Sequence, residues 1–314
     1  MKKILPIISV GILLLSSCAI DQKNNTRPFS PNEDLFIVET KISDDEVNSN
    51  TPDSTNTEKI EIIPENPNVE TSIESTSPDF ESIKIKYQNE VPKYFGESVE
   101  GIVTRIETSE KIVALTFDAC GGKNGLGYDQ KLIDYLLEEE VPATLFMNGR
   151  WIDENLDLFQ LFSHNELFEI ENHGYAHKPL SVNGKSIYGI EGTKNVSEVI
   201  DEVWKNAMKI EELTGRRPRY FRSGTAYYDE IAVKVVRELD EKPVNFTILG
   251  DAGARYTKAQ MVKSAKDTKN GSIILYHMNH PEGDTAEGIM EVIPMLRKMG
   301  FKFVLLKDYD EAMK

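Results

Sequence analysis

Polar and apolar positions change their period several times along this chain. From about residue 110 onward, short runs rich in β-branched and aromatic residues recur at Ile112–Phe117, Pro142–Met147, Leu167–Glu171, Arg219–Phe221, Val244–Leu249, Ser272–Tyr276 and Phe301–Leu306. Several lack strict alternation, the pattern of strands covered on both faces. Between them the period lengthens to that of a helix. Val196, Val199, Ile200, Val203, Trp204, Ala207, Ile210 and Leu213 form one apolar stripe, and Gly215 follows as a natural stop. Asp129–Glu140, Asp229–Leu239, Lys258–Lys269 and Ala286–Met299 also read as helices. This repeated strand–helix alternation predicts an α/β domain with a mainly parallel sheet. Periodicity alone leaves a closed barrel and an open doubly wound sheet both open.

The first residues follow another pattern. Met1-Lys2-Lys3 precedes an apolar run from Ile4 to Leu15, and Leu15-Ser16-Ser17-Cys18 follows. This is the form of a secretory signal. The apolar run falls short of the roughly 20 residues that span a bilayer. Leu-Ser-Ser-Cys resembles a bacterial lipobox, in which Cys18 would become the lipidated first residue of the mature protein. The expected organisation is a lipoprotein signal peptide over residues 1–17, a linker over 18–85 and a folded domain over 86–314. The location that follows is the cell envelope, with a lipid anchor in the membrane.

Composition sharpens the middle segment. Between Asp21 and Phe80 there are 14 acidic and 4 basic residues, a net −10 of the whole chain's −16. Lys2 and Lys3 add +2, so residues 81–314 carry about −8 by subtraction. Asn, Thr, Ser, Pro and Glu dominate that segment, and such a composition predicts a disordered acidic tether. No basic patch marks a nucleic-acid partner. The chain has 2 cysteines. With Cys18 lipidated, Cys120 has no partner for an internal disulfide. The domain is expected to act as a monomer.

Unusual polar residues gather at one end of the predicted strands. Asp118 ends the first. His173 and His177 follow the third, in Asn172-His173-Gly174-Tyr175-Ala176-His177. Arg222 ends the fourth, Asp251 the fifth, and His277 the sixth. Parallel α/β folds build their sites outside the carboxyl ends of strands. Each residue also has an ordinary alternative. A strand-end Asp often caps a helix or forms a turn. A histidine can make core hydrogen bonds, and an arginine can pair at the surface. Gly121-Gly122-Lys123-Asn124-Gly125 is not a phosphate-binding loop, because no Gly-Lys-Ser/Thr is present. The joint arrangement is what points to a site.

These residues resemble the polysaccharide deacetylases with a NodB homology domain, carbohydrate esterase family 4, over residues 110–314. Thr116-Phe117-Asp118 resembles the first motif, which implies Asp118 as general base. His173 and His177 resemble the His-x-x-x-His pair that binds a divalent metal. Arg222 resembles the arginine that orients the base, and Asp251 the acidic residue that tethers that arginine. Leu275-Tyr276-His277 resembles the last motif. That implies a pocket formed by Leu275 and Tyr276, with His277 as general acid. The resemblance implies a distorted (β/α)7 barrel, a metal such as zinc, and a polysaccharide or peptidoglycan substrate.

Two departures stand out. Ala119 occupies the place of the family's metal-ligand Asp, and Ser223-Gly224-Thr225 replaces the Pro-Pro-Tyr after the motif arginine. A subgroup of the family also resembles this chain in carrying Asp-Ala-Cys-Gly at the first motif. Three arrangements remain. Asp118 could be the third metal ligand, Cys120 could contribute a thiolate that favours zinc, or metal binding could be weak. The implied activity is removal of acetyl groups from N-acetylated or O-acetylated polysaccharide, acting on non-peptide carbon–nitrogen bonds. The alternatives are a catalytically weak or inactive carbohydrate-binding pseudoenzyme and a metal-independent amidohydrolase.

Overall fold

The computed structural model describes residues 77–313. The expectations placed on the signal segment, Cys18 and most of the tether lie outside the described residues. Helix α1 (Phe80–Tyr87) and strand β1 (Phe95–Gly96) come first. They are followed by β2 (Ile112–Ala119), α2 (Gln130–Glu138), β3 (Ala143–Met147), α3 (Gly149–Glu154), α4 (Leu156–Ser163) and β4 (Phe168–Asn172). Then come α5 (Val196–Thr214), β5 (Tyr220–Phe221), β6 (Tyr228–Asp229), α6 (Glu230–Glu238), β7 (Lys242–Pro243) and β8 (Ile248–Leu249). The chain ends with α7 (Lys258–Ala265), β9 (Ser272–His277), α8 (Thr285–Lys298), β10 (Lys302–Phe303) and a 3-10 turn over Leu306–Ala312.

Capping chemistry sets several helix starts. The carboxylate of Asp129 accepts from Leu132 N–H to begin α2, and that of Asp229 accepts from Ile231 and Ala232 N–H to begin α6. Asn195 starts α5 in the same way. Gly215 stops it in a left-handed conformation, φ 68°.

The main sheet is parallel and runs in the order β7-β5-β4-β3-β2-β9-β8, with β10 also pairing to β2. Its two edges are one piece of chain. Val244 N–H donates to Phe221 O at 2.8 Å, and Thr247 N–H donates to Ile273 O at 3.0 Å. Residues 244–247 therefore carry the chain from β5 across to β9, and the sheet curls round to meet itself. Of the expected single strand Val244–Leu249 only its end is strand, as β8, and β7 lies just before it, because a segment that changes neighbours cannot keep one ladder through its middle. Counting β7 and β8 as one position leaves seven, the distorted (β/α)7 barrel expected from the sequence.

The folded part begins before residue 86. Helix α1 starts at Phe80, inside the stretch expected as linker, with Asp79 accepting from Ser82 N–H as its cap. Ile83 and Tyr87 are buried with residues of α5 and α6, and the Phe80 ring stands edge-on to Trp204 at 5.1 Å. Helices α3 and α4 were also unforeseen. They occupy the stretch between the second and third predicted strands.

Candidate active site

Alternation along the strands selects which side chains enter the barrel. On β2, Val113, Leu115, Phe117 and Ala119 pack outward against helices, while Ile112 and Ala114 face inward. Thr116 and Asp118 continue the inward set. On β9, Ile273 packs inward and Ile274 and Tyr276 outward, so Leu275 and His277 share the inner side. Tyr220 of β5 also packs inward, and Arg222 lies two residues on. The register pairs Asp118 directly with His277. The carboxyl ends of these strands thus deliver their polar residues to one mouth.

Asp118 is buried, and its Oδ1 accepts from Arg222 Nη1 at 2.7 Å. Burial alone would push this carboxyl up. The Arg222 guanidinium, with His173 and His277, outweighs burial and holds it below the ordinary carboxylate range. Arg222 has no solvent exposure and is fixed on every side. It donates to Thr116 Oγ1, Val244 O and Asn245 O, and its guanidinium lies 4.1 Å from the Phe146 ring centroid. Asp251 does not tether it. Asp251 instead accepts from the backbone N–H of His277 at 2.7 Å, and it pairs through Oδ1 with His277 Nδ1 at 2.8 Å. The expected Asp251–Arg222 contact is therefore replaced by an Asp251–His277 pair, because β8 lies beside β9 and delivers Asp251 there. Burial would lower the His277 imidazole. The Asp251 carboxylate and Cys120 reverse that and raise it well above its ordinary value.

His173, His177 and Cys120 make the second half. Their ligand atoms lie within 4.8 Å of one another, and Cys120 Sγ is 3.8 Å from His173 Nε2. The Nδ1 of His173 sits 2.9 Å from Arg222 O, which fixes the proton there and leaves Nε2 with a free lone pair. Burial also lowers the His173 imidazole and favours this neutral form. The Nε2 of His177 is buried without a hydrogen-bond partner. Burial would push the Cys120 thiol up, but His177 and His277 bring it down to about 7. These donors fit a divalent metal of borderline softness. Ala119 cannot join them, since its methyl group has no donor atom, and it packs among the outer core residues. Asp118 Oδ2 lies 3.5 Å from His173 Nε2 while Oδ1 holds Arg222, so the second oxygen of Asp118 stands beside the same donors.

Other residues support the histidines. His177 adopts a left-handed backbone, φ 58°, uncommon for a histidine. Glu202 of α5 clamps it from both sides by accepting from Ala176 N–H at 2.9 Å and Lys178 N–H at 3.1 Å. Asn148 donates to His173 O and Gly174 O. Gly224 is needed for space, because a Cβ there would stand 2.4 Å from the His177 carbonyl carbon. Sequence reasoning passed over Glu202 and Asn148. Glu202 sits directly before Val203 of the apolar stripe, which marks it as a charge on a buried face. Asn148 carries the signal of a helix cap after a strand.

Asp118, Cys120, His177, Leu275 and His277 line one pocket of about 360 Å³. Tyr276 does not line it. It faces outward, fully buried, and stacks on Phe117 with ring centroids 5.5 Å apart. Neighbouring strand residues point to opposite faces, so Leu275 and Tyr276 cannot share the pocket.

A parallel barrel with an arginine-held carboxylate, a carboxylate-held histidine and a ligand-ready histidine pair at its carboxyl mouth defines a NodB-like domain. Residues 105–244 match the family model described as polysaccharide deacetylase. Over that stretch the chain is similar to the polysaccharide deacetylases. The peptidoglycan-N-acetylmuramic acid deacetylase PdaA of Bacillus subtilis is 26% identical over 234 residues, 70% of this chain and 81% of that protein. The solved structure of PdaA matches with a TM-score of 0.55 at 22% identity, over 71% of this chain and 98% of that one. A peptidoglycan-N-acetylglucosamine deacetylase of Bacillus cereus is 25% identical over 216 residues, 66% of this chain and 92% of that protein. A family 4 pseudoenzyme from Bacillus anthracis has the same fold, with a TM-score of 0.55 at 22% identity over 68% of this chain and 69% of that one.

Proposed function

We propose that this protein removes acetyl groups from N-acetylated sugars of an envelope polysaccharide, assisted by a divalent metal such as zinc. The observation that carries this is the placement of two oppositely tuned groups around one pocket. Asp118 is held charged by Arg222, and His277 is held protonated by Asp251. Beside them, His173, His177 and Cys120 would hold the metal. When bound, the metal supplies a more acidic water and a polarised acetyl carbonyl. Asp118 takes a proton from the water as its oxygen bonds to the acetyl carbon. His277 gives a proton to the sugar nitrogen as the carbon–nitrogen bond breaks, leaving acetate and a free amine. Leu275 lines the space for the acetyl methyl.

Acetate release is the test. Protein stripped of metal and then given zinc, cobalt, manganese or nickel is assayed on N-acetylated peptidoglycan and chitin oligomers. Restored release, reduced on the order of 10²–10⁴-fold by Asp118→Asn, is the expected result. Full activity in Asp118→Asn would sink the acid–base assignment. Ala119 favours a second reading, a carbohydrate-binding pseudoenzyme. Glycan binding with no acetate release under any metal would select it.

A further inference from the structure

Beside the pocket stands an exposed tyrosine that the chemistry above does not use. Ile187 and Ile190 exchange both backbone hydrogen bonds, at 3.2 and 2.9 Å, and close a two-residue hairpin. Its tip is Tyr188-Gly189, with φ values of 54° and 76°. Positive φ at both tip residues is the type I′ turn, where Asn or Gly is the strain-free choice for the first position. A tyrosine there holds a bulky side chain in left-handed backbone, and it gains little burial in return. Tyr188 remains 64% exposed. Strain kept at a pocket rim is a reason to look for function.

The ring is not loose. Tyr188 stands edge-on to Tyr227, with centroids 5.7 Å apart at 85°, and Tyr227 packs on Phe95 at 5.5 Å. Phe95 belongs to β1, which pairs with β6 directly after Tyr227, and Leu180 N–H donates to Tyr227 O at 3.0 Å. The base of the hairpin arm is closed by Thr193, which accepts from Ser181 N–H and donates from its hydroxyl to Ser181 O. Tyr188 and Glu97 both line the pocket that holds Asp118 and His277. A fixed aromatic face beside a carboxylate suits a sugar ring. The ring's C–H face meets the electron-rich aromatic face, and its hydroxyls meet the carboxylate.

We infer that Tyr188, backed by Tyr227 and Phe95, forms a second sugar subsite that takes the ring next to the one entering the pocket. This subsite rests on the reading of the pocket as acting on a polysaccharide. It makes the preferred substrate a chain and not a single sugar.

The test is calorimetric binding of N-acetylglucosamine and of its disaccharide to the whole protein. The wild-type protein is expected to bind the disaccharide about tenfold more tightly than the single sugar. Tyr188→Asn, which suits the turn and keeps the fold, should erase that difference, and Tyr188→Phe should restore it. Equal affinity for both lengths in the wild type, or an undiminished difference in Tyr188→Asn, would overturn the subsite. Acetate release is followed in the same samples. A length preference lost in Tyr188→Asn without any acetate release keeps the subsite and rejects the deacetylase reading. Acetate release without a length preference does the opposite.

Discussion

Position 120 decides how this site differs from the family pattern. The strand ends at Ala119, whose side chain is committed to the outer core, and beyond it the next side chain can turn back toward the histidines that Asp118 already faces. Cys120 does so, at 3.8 Å from His173 Nε2. A thiolate ligand makes a spectroscopic claim that activity alone cannot. Cobalt-loaded protein should show a thiolate-to-cobalt charge-transfer band. Cys120→Ser should lose that band and bind the metal more weakly, read by chelator competition. An unchanged band and affinity would return the third ligand to Asp118. At this scale the sequence named most of the site, because Asp118, His173, His177, Arg222 and His277 sit at strand ends and strand ends are visible in a hydrophobic pattern. It misassigned Asp251 and Tyr276. Which neighbour a strand-end group meets, and which face a residue takes, depend on register and exact strand limits.

Helix α5 shows how a secondary element carries the histidines. Its apolar stripe was legible from spacing alone, and the structure places the helix over Val196–Thr214. Its buried carboxylate at Glu202 was not legible, since the loop it clamps is distant in sequence. Burial pushes the Glu202 carboxyl up to about 7, against the backbone N–H groups of Lys178 and Ala176 and the nearby charges of Lys178 and Arg150. The sign follows from linkage. The folded state binds this proton more tightly than the unfolded chain, so the stabilisation is complete below the ordinary glutamate value of 4.5 and is lost as pH rises through about 7. The loss amounts to at most about 3 kcal/mol for one such group. Glu202→Gln stays neutral and keeps one acceptor oxygen. Its urea midpoint should therefore fall less between pH 5 and pH 8 than that of the wild type. An equal fall in both would show that Glu202 does not titrate in this window. Glu171 and Glu241, also raised by burial, move in the same direction and remain in both proteins.

For the molecule as a whole, the barrel was foreseeable and its start was not. Seven strand positions follow from the alternation of strand and helix patterns, and closure follows from one segment joining β5 to β9. Helix α1 escaped because its eight residues carry little amphipathic pattern and follow an acidic stretch. What fixes it is tertiary. Ile83 and Tyr87 are each 5% exposed against α5 and α6, and Tyr87 Oη donates to Glu238 at 2.9 Å. Burying two such side chains is worth roughly 3–5 kcal/mol before the ordering cost of the helix. A chain begun at Ser77 should therefore melt with the full-length protein and release acetate as well. One begun at Glu90 should melt roughly 5–10 °C lower, if about half of that burial survives as net stability. The same pair of chains separates folding from anchoring. We propose that Cys18 carries lipid, so the full-length protein should sediment with membranes after export, and the Ser77 chain, exported behind a cleavable signal, should remain soluble with its activity intact. A Ser77 chain that still sediments would remove Cys18 as the anchor. One that fails to fold would place part of the domain's stability before residue 77.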